Sequence, residues 1–426
     1  MTAPVPEMRE IRAAHELVSR IVTRTPLDSA RFLSDMLGSP VLLKCENMQR
    51  TGSYKIRGAS YRLSKLDAAR RAAGVVAASA GNHAQGVAYA ARELGIPATI
   101  FMPLGVPLPK LEATRRYGAE VRLTGANVGE ALVAARAFAE ERGAEFIHPY
   151  DHPDIITGQA TLGLDIIDEC PDVETIIVPI GGGGLVSGIA SAAVRKAEES
   201  GRMIRVIGVQ AKNSAPFPVS LRAGRPTKVA AKPTIADGIA VDVPGELTFQ
   251  FARELVDEVV TVSEDDIARA ILLLVERAKL VVEPAGAASI AAIMAGTITG
   301  LGQDAGSGER IGTGRTVAIL SGGNIDPMML EKVISRGLTA SDRYLKLYFG
   351  IPDVPGQLAT ISKILADVSA NVIEVLHTRH NKGVQIHEVE LEISVETRGT
   401  EHAQLVMSAL REHGFSPRIG HALPIP

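Results

Sequence analysis

The sequence predicts an α/β protein built on parallel sheets, followed by a smaller α+β unit. Three observations lead there. Short β-branched runs alternate with longer segments of helical apolar spacing up to about residue 335. Several of the predicted strands end in glycine-rich turns. After residue 342 the order becomes strand, helix, strand, strand, helix, strand. The chain has 426 residues, of which 46% are apolar, enough for two or three domains and a sizeable core. With Trp at 0 and aromatics at 4%, that core must be aliphatic.

Taken in order, VLLKCE (41–46), GVVAAS (74–79), ATIFMP (98–103), EVRLTG (120–125), EFIHPY (145–150), TIIVPIG (175–181), RVIGVQ (205–210) and TVAILSG (316–322) read as strands. NHAQGVAYAARELG (82–95) and NVGEALVAARAFAEERG (127–143) read as helices that end at glycine. Strand–helix–strand alternation implies parallel sheets covered on both faces. GTITGLGQDAGSGERIGTGR (296–315) is too rich in glycine for an element and reads as an exposed, mobile loop. RYLKLYFGI, PGQLATISKILADVSA, NVIEVLHTRH, VQIHEVELEISV, TEHAQLVMSALREHG and SPRIG then spell a ferredoxin-like β-α-β-β-α-β unit. This places one domain at 1–335, a second at 342–426, and the boundary near 336–342.

A formal net charge of −3 and the lack of a Lys/Arg-rich run give no reason to expect nucleic acid or a membrane as partner. The N-terminus lacks the apolar core of a signal peptide, and no apolar run reaches the roughly 20 residues of a bilayer span. Cys45 and Cys170 are far apart and form neither a disulfide framework nor a metal-ligand spacing. A cytoplasmic protein is expected.

Three strands end in small turns: SAGNH (79–83), GGGGL (181–185) and SGGN (321–324). Glycines there let the backbone approach a ligand, and free amides at a helix start favour an anion. Ligands of open parallel sheets bind outside the carboxyl ends of the strands, so three such turns argue for one site. GGGGLVSG (181–188) does not match the dinucleotide pattern G-x-G-x-x-G, and the chain has no Gly-Lys for a P-loop. A single phosphate monoester held by consecutive glycine amides fits better; a tight packing turn is the alternative. Lys55, in SYKIRGAS (53–60), stands in a short run of small and uncharged residues, with Tyr54 before it and Arg57-Gly58 after it. A lysine beside a phosphate pocket suggests pyridoxal phosphate, whose aldehyde only a lysine side chain can hold as a Schiff base.

S-Y-K-I-R-G, S-A-G-N-H-A-Q-G, G-G-G-G-L and S-G-G-N, in this order, resemble the threonine ammonia-lyases (threonine dehydratases) over residues 10 to about 335. These are tryptophan-synthase-β-like, fold-type-II pyridoxal phosphate enzymes. D-V-P-G-Q-L and S-A-N-V-I are similar to the first turn and second strand of an ACT regulatory domain. The resemblance implies β-elimination of L-threonine, and of L-serine, to a 2-oxo acid and ammonia, in a biosynthetic or a catabolic setting. It implies Lys55 as Schiff-base lysine and general base, and Tyr54 packed on the cofactor ring where phenylalanine is commoner. Asn82 would bind the ring's 3-hydroxyl oxygen, and Ser321 the pyridine nitrogen. The amides of Gly181, Gly182, Gly183, Gly184 and Leu185 would hold the phosphate. Ser79, Ala80, Gly81 and His83 would form the substrate-carboxylate turn, with Ser79 and His83 as donors; a histidine that merely caps the turn is the alternative.

A serine racemase or serine dehydratase is the rival within the superfamily. Racemase relatives carry serine immediately before the glycine of the Asn-bearing turn, where this chain has Ala80. Relatives that bind a metal carry an acidic residue where this chain has Gln210, so no metal is expected. A non-catalytic amino-acid sensor is the rival of a different class. For the C-terminal unit, the resemblance implies an amino-acid effector, isoleucine or valine, held by Gly356, Gln357 and Leu358 of one copy and Asn371, Val372 and Ile373 of another. A homo-oligomer follows, most simply a tetramer; a unit that only joins subunits is the alternative.

Overall fold

A strand that is apolar on both faces needs cover on both, and the middle strands of the central sheet are buried along nearly their whole length. In the computed structural model, which describes residues 3–303, 310–311, 314–378 and 387–420, six strands form this sheet. In spatial order they are Leu27–Ser29, Val41–Lys44, Arg315–Ile319, Val173–Pro179, Arg205–Ala211 and Glu258–Val262. Five run parallel, and Leu27–Ser29 joins as an antiparallel edge. Ile176, Val178, Val206, Val317 and Ile319 pack there with Val186 and Ile189 of the helix Gly184–Ser200. A second sheet is fully parallel: Glu120–Leu123, Ala98–Met102, Val75–Ala78 and Glu145–Phe146. Its core joins Val75, Ala77 and Ile100 to Ala84, Val87 and Ala91 of the helix Asn82–Glu93.

Two strands of the central sheet, Leu27–Ser29 and Glu258–Val262, are additions to those expected from sequence. Both lie at edges, and the first is only three residues long. Gly302–Gln303 and Arg310–Ile311 pair antiparallel inside the stretch expected to be loop. Residues 304–309 and 312–313 of that stretch lie outside the described residues.

The chain divides into two units, Met1–Leu330 and Glu331–Pro426, with the division inside the helix Pro327–Ala340. In the second unit the strands Tyr344–Pro352, Asn371–Thr378, Glu388–Glu396 and Arg418–Ile419 form one antiparallel sheet. The helices Gln357–Asp367 and Thr400–Glu412 supply Ile361, Leu365, Val406 and Leu410 to its core. The element order is the ferredoxin-like one expected from sequence. Residues 379–380 and 384–386 of the expected strands lie outside the described residues. Among the described residues, no helix is long and apolar enough to cross a membrane.

Candidate active site

Lys55 opens the helix Lys55–Ser64, and three contacts fix where it points. Its approach is tied to the third glycine turn: Ser53 bridges Gly322, and the Tyr54 amide donates to the Ser321 carbonyl at 3.2 Å. The helix Asn82–Glu93 packs so closely that a Cβ on Gly86 would lie 3.1 Å from the Ile56 nitrogen. Arg57, fully buried, gives Glu46 a two-pronged bond at 2.8 and 2.9 Å and reaches Asp165 at 2.7 Å. Burial opposes the Arg57 charge, but the two carboxylates outweigh it and hold the pKa above the usual arginine value.

The Lys55 amine donates to the Pro149 carbonyl at 3.2 Å and stands 5.2 Å from the Tyr54 ring centroid. His148 sets that carbonyl. Its Nδ1 accepts from the Tyr150 and Asp151 amides at 3.3 and 2.8 Å and turns the chain. Burial holds the His148 pKa down at about 4, so Nδ1 stays an acceptor at neutral pH.

The glycine run follows the strand Val173–Pro179 and opens the helix Gly184–Ser200. Gly183 has φ 99°, a left-handed conformation that side chains resist. The loop is also packed from behind. A Cβ on Gly182 would meet the Tyr150 ring at 2.3 Å, and one on Gly183 would meet Phe217 and Thr248 at 2.7 Å. No side chain caps this helix, and its first amides, from Gly184 and Leu185 onward, have no intrahelical acceptor. Gly181 leans on Ile239 instead.

The Ser79–His83 turn follows the strand Val75–Ala78. Ser79 Oγ accepts from the Gly81 amide at 3.1 Å, which leaves its own hydrogen free to donate. Ala80 and Gly81 are half-buried beside it. The His83 ring is turned away from the turn it was expected to serve as a donor. Its Nε2 meets the Ile147 carbonyl at 2.9 Å, and a carbonyl can only accept, so the ring hydrogen points into the protein. Burial, with Lys55 nearby, lowers the His83 pKa to about 3, so Nδ1 carries no hydrogen for a carboxylate.

Asn82 begins its helix and joins the first turn to the third. Its Nδ2 donates to Glu283 Oε1 at 2.6 Å, and its Oδ1 accepts from Asn324 Nδ2 at 2.8 Å. Asn324 also donates to the Thr51 carbonyl at 2.7 Å. Ser321, 4% exposed, follows the strand Arg315–Ile319 on the same side. Tyr54 is therefore bonded to Ser321, and Asn82 to Asn324 of the same glycine turn.

Sequence reasoning missed Glu283, His148 and the seat that Tyr150 gives the glycine run. Asn324 lay within the quoted S-G-G-N without a role. Gln210 is buried, with Oε1 accepting from the Phe217 amide at 3.0 Å, so its carboxamide braces the loop behind the glycine run.

In the second unit, Gly356 (φ 97°) precedes the helix Gln357–Asp367, and Leu358 is exposed. Asn371 and Val372 begin the edge strand, and Ile373 is an extra residue at a register shift. The 11-residue helix separates the two groups by about 16 Å within one copy.

An amine on a rigid helix start, a run of uncapped amides and a carboxamide donor suit pyridoxal phosphate, and the space behind the glycine run admits no side chain in their place. Residues 18–322 match the family described as pyridoxal-phosphate dependent enzyme. The chain belongs to that family. Within it, the chain is 46% identical to L-threonine ammonia-lyase of Geobacter sulfurreducens, over 95% of this chain and 97% of the relative. It is 44% identical to the catabolic L-threonine dehydratase of Escherichia coli, over 76% of this chain and 94% of that one. Among solved structures, maize serine racemase superposes with a TM-score of 0.70 at 34% identity, covering 79% of this chain and 98% of that one. The family fold is fold-type II, and the cofactor is pyridoxal phosphate.

Proposed function

We infer that this protein is a pyridoxal phosphate-dependent ammonia-lyase that converts L-threonine to 2-oxobutanoate and ammonia, and L-serine to pyruvate and ammonia. The observation that carries this reading is the near full-length likeness to an L-threonine ammonia-lyase, in a chain whose Lys55 amine donates to the Pro149 carbonyl beside the Tyr54 ring. Bound pyridoxal phosphate supplies an aldehyde that condenses with amines and a ring that draws electrons from Cα.

The residues of the chain do the rest. The amides from Gly181 to Leu185 would hold the phosphate, the Asn82 N–H would serve the 3-hydroxyl oxygen, and the Tyr54 ring would pack on the pyridine. Ser321 would face the pyridine nitrogen with a neutral hydroxyl rather than a carboxylate, a partner that suits elimination. Ser79 Oγ and the Ala80 amide would receive the substrate carboxylate, while the Gly81 amide holds Ser79 Oγ in place and the His83 ring shapes the turn. Lys55 Nζ would serve as the general base that takes the Cα proton.

Racemisation needs a second acid/base on the opposite face, and Ala80 offers only a methyl group. Product analysis with L-serine separates the readings: pyruvate without D-serine is expected, and D-serine formed at a comparable rate would favour the racemase.

Residues 342–426 form an ACT-like regulatory unit in this reading, and residues 1–335 the catalytic one. The effector is isoleucine or valine, bound by Gly356, Gln357 and Leu358 of one copy with Asn371, Val372 and Ile373 of another. The separation of these groups within one copy supports a site shared by two, and so a homo-oligomer, most simply a tetramer.

A further inference from the structure

We propose that Glu283 is a positioning residue that locks the Asn82 carboxamide with its N–H edge toward the cofactor, as the last member of a hydrogen-bonded row Thr51–Asn324–Asn82–Glu283. The proposal rests on the assignment of Asn82 to the cofactor's 3-hydroxyl oxygen.

An asparagine side chain is nearly symmetric in shape, and only its partners decide which end is oxygen. Here both ends are read. Asn324 Nδ2 presents a donor at 2.8 Å, so the atom facing it must be Oδ1. Glu283 Oε1 presents an acceptor at 2.6 Å, so the atom facing it must be Nδ2. Asn324 is itself oriented, because its Nδ2 also donates to the Thr51 carbonyl at 2.7 Å. Turning the Asn82 carboxamide over would set donor against donor at one end and acceptor against acceptor at the other. Of its two N–H hydrogens, one is spent on Glu283. The other is the donor that remains for a ligand.

The carboxyl has a dedicated seat. Glu283 is 5% exposed, and its own amide donates to the Gly322 carbonyl at 3.0 Å. A Cβ on Gly322 would lie 2.2 Å from Oε1, so a side chain at Gly322 would expel it. Gly238 faces the same oxygen with a Cβ position at 3.7 Å. No arginine or lysine pairs with this carboxyl among the described residues; the charged groups that act on it are Asp237, Lys110 and Lys55. A buried carboxyl with one amide partner and no cation is costly to keep. Burial, then Asp237, raise its pKa to about 7. The ionised form can only accept and holds Asn82 firmly. The protonated form can donate to Oδ1 and so removes one of the two penalties against the reversed amide, leaving only the one at Asn324.

The test compares Glu283→Gln and Glu283→Ala with the parent, using pyridoxal phosphate itself as probe. The readouts are its dissociation constant by equilibrium dialysis, the pH profile of its visible absorption band, and the thermal midpoint of the cofactor-free protein. Glutamine keeps an acceptor for Asn82 but has no proton to exchange. It should hold the dissociation constant within about twofold of the parent and remove the transition of the band near neutral pH. Alanine frees the carboxamide and should raise the dissociation constant about tenfold, with little change in the thermal midpoint. Equal losses in both variants, or parent-like affinity and pH profile in both, would overturn the proposal. Lys55→Ala is run alongside. If it keeps the parent's visible band, the site assignment fails and this proposal with it. If it loses the band while Glu283→Ala behaves as the parent, only the role of Glu283 fails.

Discussion

His83 and Glu283 sit in the same site, and burial shifts both toward the neutral form, which gives them opposite effects on pH stability. His83 has its folded pKa near 3, below the ordinary 6.5. The unfolded chain therefore takes up a proton that the folded one refuses, and stability falls as pH drops below about 6.5, by about 1.4 kcal/mol per pH unit. Glu283 has its folded pKa near 7, above the ordinary 4.5. The folded chain holds that proton more tightly, so stability falls as pH rises from about 4.5 to about 7 and levels off above. In Glu283→Gln the second slope disappears. The cofactor-free variant should gain on the parent by about 3 kcal/mol between pH 4.5 and pH 7, read from urea denaturation at each pH; a constant difference would mean that Glu283 does not titrate there. Lys55, Asn82 and Ser321 were legible in the sequence because each sits in a short motif. Glu283 was not, since one acidic residue in VVEPAGA carries no spacing signal and its partner Asn82 is 201 residues away. For His83, sequence marked the position but not the direction of its ring hydrogen, which depends on Ile147 of another element.

The helix Lys55–Ser64 is held by its buried face. Arg57 joins it to Glu46, after the strand Val41–Lys44, and to Asp165 on the helix Pro153–Glu169. Asp165 is bonded in turn to His15 at 2.7 Å, and Thr25 donates to Glu46 at 2.5 Å. A Cβ on Gly158 would lie 2.7 Å from Gly58 Cα, so the two helices meet with no side chain between them. Arg57→Met leaves two buried carboxylates without their cation and should cost about 3–5 kcal/mol of stability, measured by chemical denaturation; a loss below about 1 kcal/mol would show that the network is not what anchors this helix. At this scale the sequence was informative where a β-branched run is set off by glycine or proline from the next helical pattern, as at Val75–Ala78 and Ala98–Met102. Glu258–Val262 carries a β-branched run as well, yet it is a short edge strand directly before the capping box of Ser263, and its signal merges with the next helix. Leu27–Ser29 is too short for any periodicity to register. The predicted strand at 145–150 is cut to two residues because His148 draws the chain into a turn.

For the whole molecule, the two units pose separate questions. Among the described residues, Asn371–Thr378 is an edge strand of the C-terminal sheet, where Ile373 is 52% exposed and Val375 and Leu376 also face solvent. Apolar edge strands of this kind pair with another chain, which agrees with the proposed oligomer. If this unit binds the effector, isoleucine or valine should shift the L-threonine saturation curve by a factor of roughly 5–150. Truncation after Thr339 should leave an active body whose curve no longer moves; an equal shift in the truncated protein would place the effector elsewhere. The order of elements in this unit was readable from sequence, whereas the bulge at Ile373 was not, because it depends on register against Glu388–Glu396. The central claim concerns the catalytic unit, and the most direct measurement is the release of 2-oxobutanoate from L-threonine by the parent and by Lys55→Ala, both supplied with pyridoxal phosphate. The account predicts steady release by the parent and essentially none from the folded variant. Near-parental release by Lys55→Ala, or none from a parent that binds the cofactor, would contradict it.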